Sequence, residues 1–203
     1  MSWDPTVPAA SGRRLFPPLD LRDLCAAGKN RRIQIGIPPF RYDPGMTQRT
    51  HRYCIVNRWT GNLGSGTAAY TAYSRDFELE AAGKQLALPG SSDPHFRGNG
   101  TRYNPEELLV GALSACHMLW VLHLCADAGI VVNDYADEAE GEIVEHADGA
   151  GEFLRVTLRP RMSITDAARI DDATALHHRA GELCLLARSM RFPVEHDPKV
   201  TAT

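Results

Sequence analysis

The longest uncharged stretch of the chain, residues 108–126, constrains the fold most strongly. It runs for nineteen residues without Asp, Glu, Lys or Arg. Asn104 before it suits a helix N-cap, Pro105 suits the first helical position, and the two acids that follow complement the helix dipole. Gly129 is placed to end the helix. The pattern therefore predicts one long helix that is apolar on nearly every side.

A helix of this kind has two interpretations. Its length approaches that of a membrane span. However, it contains Gly111, Ser114, His117 and His123, and no other stretch of the sequence resembles it. A helix that is apolar all round is equally the central helix of a soluble protein. We favour the buried helix, and we expect a dimer, because one small domain has little surface with which to cover all of its faces.

Strand-like and helical segments surround this helix. Before it, the pattern predicts a β-meander with strands at residues 53–59, 67–77 and 85–88, followed by a loop at 89–94. After it, we predict strands at residues 139–147 and 153–164, a helix at 171–190 and a short strand at 192–194. The order of strands, long helix, strands, helix and strand predicts an α+β fold with antiparallel sheets, because a parallel doubly wound sheet requires regular alternation.

The predicted strand at residues 153–164 has two different faces. Apolar residues alternate with polar ones, and arginines at positions 155, 159 and 161 share the polar face. Such a row binds an acidic ligand in some sheets, but a solvated face is the simpler interpretation. We therefore predict that this arginine row faces solvent.

The first 45 residues differ in composition from the rest. They hold seven of the thirteen prolines and a net charge of +3, whereas the remaining residues carry −6. They lack the periodicity that a buried helix or strand needs. We interpret residues 1–45 as a flexible extension and residues 46–203 as one domain.

Charge and cysteine content limit the classes of function that we expect for this chain. A net charge of −3 and a pI near 6.2 give no basis for binding nucleic acid or an anionic membrane. The N-terminus has no apolar run behind a basic start, so we expect no signal peptide. Five cysteines without a CxxC motif do not resemble a secreted disulfide framework. We therefore expect a cytoplasmic protein.

Two cysteines stand out by their positions. Cys116 and Cys184 each lie on the apolar side of a predicted helix, so packing of the two helices would bring the thiols together. Cys125 follows Cys116 by nine residues, which places it on the opposite helix face. At this point two interpretations of these cysteines are open: they form a redox pair, or they are two inert core residues.

The sequence around Cys116 resembles the OsmC/Ohr family of thiol peroxidases. The resemblance is carried by Asn-Pro-Glu-Glu-Leu-Leu at residues 104–109, by Ala-Leu-Ser-Ala-Cys ending at Cys116, and by a second cysteine in a later helix. It covers residues 50–198 in element order and is most specific over 97–132. His117 replaces a common aromatic, and Cys184 is not followed by proline. These departures indicate a divergent OsmC-like branch.

The resemblance implies an intertwined homodimer built around the long helix, with active sites at the subunit interface and no cofactor. It implies that Cys116 is the peroxidatic and Cys184 the resolving cysteine. Glu106 matches a glutamate that orients a catalytic arginine. Arg97 is our first choice for that arginine and Arg102 the second, although one alignment places His95 there. The implied substrate is an organic (alkyl) hydroperoxide, and the implied reductant is a dithiol such as a lipoylated protein, in defence against oxidative stress.

These residue types suit peroxide reduction. A thiolate attacks the peroxide and becomes a sulfenic acid, which a second cysteine converts to a disulfide. Because burial raises a thiol pKa, a nearby cation is needed to favour the thiolate, and an arginine stays charged at every working pH. A carboxylate such as Glu106 would hold the guanidinium in place.

Three alternatives belong to other classes. A non-catalytic OsmC-like dimer would bind a hydrophobic ligand. A metal site would use His117, His123 and Cys116, but the two histidines are poorly spaced for one helix face and no HExxH motif is present. A hydrolase would use Cys116 with His117 as its base, but adjacent helix residues do not face each other. We therefore predict neither a metal site nor a hydrolase.

Overall fold

The computed structural model describes residues 50–203, so the predicted extension at residues 1–45 lies outside the described part. The chain divides into two compact units, with the division between Arg102 and Tyr103. The described part of the first unit carries one small sheet. The second unit carries two long helices and two three-stranded sheets.

The first unit contains the predicted antiparallel β-meander, but its second and third strands begin where the predicted ones end, at Phe77 and Leu88. Its strands are β1 (Val56–Trp59), β2 (Phe77–Glu80) and β3 (Leu88–Gly90), paired in that order. The predicted loop at 89–94 begins too early, because Pro89 and Gly90 belong to β3. Since β3 is an edge strand, a proline that lacks an N–H is tolerated there.

The predicted strand at residues 67–77 is wrong except at Phe77, because a loop occupies most of it. The Arg75 guanidinium donates hydrogen bonds to the carbonyl oxygens of Tyr73 and Tyr70, at 2.7 and 2.8 Å. It also lies 4.2 Å from the centre of each of these two rings. The tyrosines that indicated a strand therefore surround a cation instead, and the loop is stabilised by cation–π contacts.

The long predicted helix is present as α1 (Pro105–Asp127). Asn104 Oδ1 accepts a hydrogen bond from the backbone N–H of Glu107 at 2.7 Å, and Glu107 Oε2 accepts one from the N–H of Asn104 at 2.9 Å. This reciprocal capping box satisfies two backbone donors at the helix start. Gly129, with a φ of +69°, follows the helix end as predicted.

Each of the two sheets in the second unit combines strands from before and after the second helix. Six strands form them: β4 (Val132–Asp137), β5 (Glu140–Glu145), β6 (Gly151–Leu158), β7 (Pro160–Ile164), β8 (Val194–His196) and β9 (Lys199–Ala202). Their orders are β4-β7-β9 and β5-β6-β8. The prediction of antiparallel sheets is wrong for β8 and β9, which pair parallel to β6 and β7. The helix that precedes β8 supplies the long crossover that parallel pairing requires.

The single strand predicted at residues 153–164 is divided between β6 and β7, which join different sheets. The predicted alternation holds on both sides of the division, since Val156, Leu158, Met162 and Ile164 are buried. Leu154 is the exception, at 49% exposed. The burial period continues through the division, so the available signal was Pro160, which begins β7. On the opposite face Arg155 and Arg159 pair with partly exposed glutamates, as expected of a solvated face.

The second helix, α2 (Ile170–Leu183), is shorter than predicted. Cys184 adopts an extended ψ of 111° and ends the helix, while its N–H donates to the carbonyl oxygen of Ala180 at 2.9 Å. A short 3-10 turn at Ala187–Ser189 follows. Ala187 and Met190 continue the helical spacing of apolar residues, which is why the sequence predicted a helix to Met190.

Helix α1 is long and apolar enough to cross a membrane by length and composition. In the structure it packs against α2, β4 and β5. Its buried residues recur every fourth position and belong to the core of the second unit: Leu113, His117, Val121 and Cys125. Ser114 and His117 of α1 hydrogen-bond to other elements of the second unit. Ala112, Ala115 and Leu119 nevertheless remain exposed.

Candidate functional site

Cys116 and Cys184 are neighbours in the second unit, since Cys116 contributes to the raised pKa of the Cys184 thiol. Cys116 is in the middle of α1 and half-buried, whereas Cys184 ends α2 and is 1% exposed. Cys125 is fully buried and belongs to a separate apolar cluster. Cys54 lies on the surface of the first unit.

The Cys184 thiol is a weak acid. Burial, then its interaction with Cys116, raises the pKa of Cys184 to about 11, while backbone hydrogen bonds from Ala187 and Leu186 act in the opposite direction. Cys184 therefore keeps its proton at neutral pH.

Apolar packing holds the segment after Cys184. The backbone N–H of Ala187 donates to Cys184 Sγ at 3.5 Å. Leu186 and Ala187 pack against a buried cluster formed by Leu113, Val156 and Leu158. This apolar cluster therefore lies on one side of the thiol pair and contains a residue one helical turn before Cys116.

A histidine cluster lies on the other side of the thiol pair, and sequence reasoning missed it. It is formed by His117 from α1, His177 from α2 and His196 from β8. His117 Nε2 and His177 Nδ1 are 3.1 Å apart and hydrogen-bonded, and both side chains are fully buried. The ring centroids of His117 and His196 are 4.3 Å apart. The usable signal was the spacing of four that places His117 in line with Leu113 and Val121.

The histidine cluster is neutral and incompletely hydrogen-bonded. Burial, then the neighbouring histidines, lowers the pKa of His117 to about 3 and that of His177 to about 4. Burial also lowers the pKa of His196, although the Asp137 carboxylate opposes this. Four buried atoms of the cluster and its surroundings lack a hydrogen-bond partner in the described part: His117 Nδ1, His177 Nε2, His196 Nε2 and Tyr135 Oη.

The structure describes the potential metal ligands of residues 50–203. Within these residues, no group of three or more His, Cys, Asp or Glu side chains is arranged to hold a metal ion. Ser114, near Cys116 on α1, donates to Asp137 Oδ2 at 2.6 Å, which ties α1 to the end of β4.

The predicted carboxylate lies far from the thiol pair. Glu106 is half-buried in the first turn of α1. Because α1 is continuous, the ten positions between Glu106 and Cys116 correspond to about 15 Å along its axis. One copy of α1 therefore does not bring this carboxylate and this thiol together.

The candidate arginines lie in the first unit. Arg97 closes the short 3-10 turn Pro94–Phe96 with a φ of +65°, and its guanidinium carbon is 5.9 Å from the Tyr70 ring centre. Arg102 pairs with Asp76 at 3.7 Å. His95, the third candidate for the same role, has its ring edge-on to Phe96 at 5.1 Å.

These features define an α+β protein in which two packed helices carry a pair of neighbouring cysteines. Residues 98–199 match the profile of the OsmC-like protein family, which is half of the chain. The chain therefore belongs to the OsmC-like family.

Individual relatives agree with this assignment. An OsmC-like protein of unknown function from Vibrio cholerae has a similar structure, with a TM-score of 0.66 and 26% identity over 74% of this chain and all of that one. The uncharacterized protein YmaD of Bacillus subtilis is 28% identical over 71% of this chain and 90% of its own length. An organic hydroperoxide resistance protein OsmC from Legionella pneumophila, at 18% identity and a TM-score of 0.55 over 76% of this chain and 99% of that one, shares the fold.

Proposed function

We propose that this protein is a thiol-dependent peroxidase that reduces organic (alkyl) hydroperoxides, with Cys116 as the peroxidatic and Cys184 as the resolving cysteine. One observation carries the proposal: a buried Cys184 thiol has half-buried Cys116 as its neighbour in an OsmC-family chain. Solved structures that share the fold include organic hydroperoxide resistance proteins.

In the first step the Cys116 thiolate attacks the terminal oxygen of the hydroperoxide. The O–O bond breaks, the alcohol leaves with a proton, and Cys116 becomes a sulfenic acid. Exposure supports this assignment of roles, because a peroxide reaches half-buried Cys116 more easily than Cys184. Leu119 lies one helical turn from Cys116 and is 63% exposed, so it offers apolar contact to an alkyl group.

In the second step the Cys184 sulfur attacks the Cys116 sulfur. The new S–S bond replaces the S–O bond, and water leaves with the proton of Cys184. A dithiol reductant, such as a lipoylated protein, then attacks the disulfide and is itself oxidised to a cyclic disulfide. We propose that this cycle operates in the cytoplasm as a defence against oxidative stress.

We further propose that the active site is completed in a homodimer. Glu106 and Cys116 of one chain are separated by about 15 Å of helix, so the proposed roles of Glu106 and Arg97 are compatible if a second subunit supplies them. The exposed apolar positions of α1, among them Ala112, Ala115 and Leu119, favour a second copy of this chain as the covering surface.

Subunit mixing tests the dimer. Cys116→Ser and Glu106→Ala chains, co-expressed with two different affinity tags and purified as verified heterodimers, should recover part of the activity that each homodimer lacks. A heterodimer without recovery, or a wild type that sediments as a monomer at micromolar concentration, contradicts the shared site.

Single-turnover kinetics tests the peroxidase. Prereduced wild type should consume one equivalent of cumene hydroperoxide rapidly, and Cys116→Ser should abolish this reaction. Cys184→Ser should leave a sulfenic acid on Cys116 that dimedone traps. Cys125→Ala is the matched control, because it removes a buried thiol from α1 on the opposite face. No fast reaction in the wild type would instead favour a non-catalytic protein that binds a hydrophobic ligand.

A further inference from the structure

The histidine cluster joins the two helices that carry the thiols. His117 follows Cys116 directly on α1, and His177 precedes Cys184 by seven residues, or about two turns, on α2. The hydrogen bond of 3.1 Å between their ring nitrogens is therefore a direct cross-link between α1 and α2 beside the thiol pair. Any change in this contact shifts one helix against the other where the sulfurs meet.

The third member of the cluster holds the end of α2 from the opposite side. A Cβ on Gly181 would lie 2.8 Å from Cε1 of His196, so only glycine allows the His196 ring to pack this closely against the last turn of α2. Cys184 lies three residues after Gly181. Helix α2 is thus held at His177 by His117 of α1, and near its end at Gly181 by His196 of β8.

Stability alone does not explain this polar cluster. Its unpartnered buried nitrogens carry a desolvation cost that apolar side chains of the same shape would avoid. A hydrogen bond is directional, so it fixes the rotation of one helix against the other more narrowly than apolar contact does. The cluster therefore contributes defined geometry where the thiols lie.

We infer that His117 is a positioning residue for formation of the Cys116–Cys184 disulfide, acting through its hydrogen bond to His177. The inference rests on the proposed function, because it concerns the second step of that cycle. Attack of the Cys184 sulfur on Cys116 needs a short and aligned approach, and small displacements slow such intramolecular steps by one to two orders of magnitude.

A matched pair of variants tests this role. In His117→Gln the side-chain amide nitrogen lies near the position of Nε2, whereas in His117→Asn an equally polar side chain is too short to reach His177. We expect disulfide closure to slow by about ten-fold in His117→Asn and to stay within about two-fold of wild type in His117→Gln. The peroxide-consuming first step should be unchanged in both. Val121→Ala, one turn further along the same buried face, is the control for general loosening of α1.

Closure is measured without peroxide, so that failure of the proposed function stays distinguishable. Oxidised glutathione forms a mixed disulfide on Cys116 and releases one glutathione. Attack by Cys184 then releases the second glutathione and closes the disulfide. The ratio of the two release rates reports the approach of Cys184 alone. Equal slowing in His117→Gln, His117→Asn and Val121→Ala, or no slowing in His117→Asn, overturns the positioning role. Normal closure with no peroxide consumption overturns the peroxidase and leaves the positioning role intact.

Discussion

The two sides of the thiol pair differ in kind although they are one helical turn apart on α1. On one side Leu113 lies in a fully apolar cluster with Val156 and Leu158. On the other side His117 lies in the histidine cluster, equally buried but with polar atoms that lack partners. Burial of the apolar side stabilises the fold. On the histidine side the unpartnered polar atoms offset part of this stabilisation, but the rings form a directional hydrogen bond.

This difference indicates that two parts of one helix face have different roles, one stabilising α1 and the other setting its rotation. Burial of apolar surface is non-directional, so it stabilises α1 without setting its rotation narrowly. A buried hydrogen bond between two rings sets that rotation, provided that both rings stay neutral. The two sides should therefore respond to different perturbations, the histidine side to acid and the apolar side to loss of volume.

Acid should have the largest effect, because it acts on the histidine cluster. The folded-state pKa values of His117 and His177, about 3 and 4, lie below the unfolded value of about 6.5. Between these pKa values the unfolded chain therefore binds more protons than the folded chain. The contribution of the neutral histidines to stability is fully present above about pH 6.5 and decreases as the pH falls. We expect a loss of about 2 kcal/mol for each of the two between pH 7 and pH 5, measured by urea unfolding.

The matched control for this experiment removes the two histidine rings whose pKa values other groups also influence. His196 contributes to the lowered pKa of both His117 and His177, His178 to that of His177, and Asp137 raises the pKa of His196. The double variant His117→Leu/His177→Leu should lose most of the acid dependence. A double variant with the wild-type pH dependence of unfolding would show that the instability in acid arises elsewhere.

Loss of volume on the apolar side should have the next largest effect. Leu113 is completely buried, so Leu113→Ala removes apolar contacts and leaves a cavity. We expect a decrease of about 3 kcal/mol in the free energy of unfolding, with no change in its pH dependence. Leu154→Ala is the control, because its side chain is half exposed and should cost less than about 1 kcal/mol. Similar losses for the two variants would contradict the assigned core.

An ion pair outside both regions should have the smallest effect. Arg155 Nη2 and Glu142 Oε2 are 2.6 Å apart, but both side chains are about half exposed. Solvent screens such a pair, so Glu142→Gln should change the free energy of unfolding by at most about 0.5 kcal/mol. A loss above 1.5 kcal/mol in urea, removed by high salt, would mean that this pair is more than a surface contact.

Local signals predicted some elements well. Asn104, Pro105 and Gly129 act through their own backbone geometry, so the bounds of α1 were readable from the sequence. The end of α2 at Leu183 was not, because apolar spacing continues through it, whereas the division at Arg159 was marked only by Pro160. The choice of Cys116 and Cys184 came from the resemblance together with helix position, and the contact between them depends on packing.

The sequence by itself determined the α+β class, the capped helix α1 and the placement of Cys116 and Cys184 among apolar residues. These follow from local backbone preference and from the period of apolar residues, which act over a few positions. Tertiary structure decided the parallel pairing of β8 and β9 and the distance from Glu106 to the thiols. It also decided the meeting of His117, His177 and His196, whose separations along the chain are 60 and 19 residues. Contacts between such distant residues depend on how helices and strands pack, and no local preference encodes them.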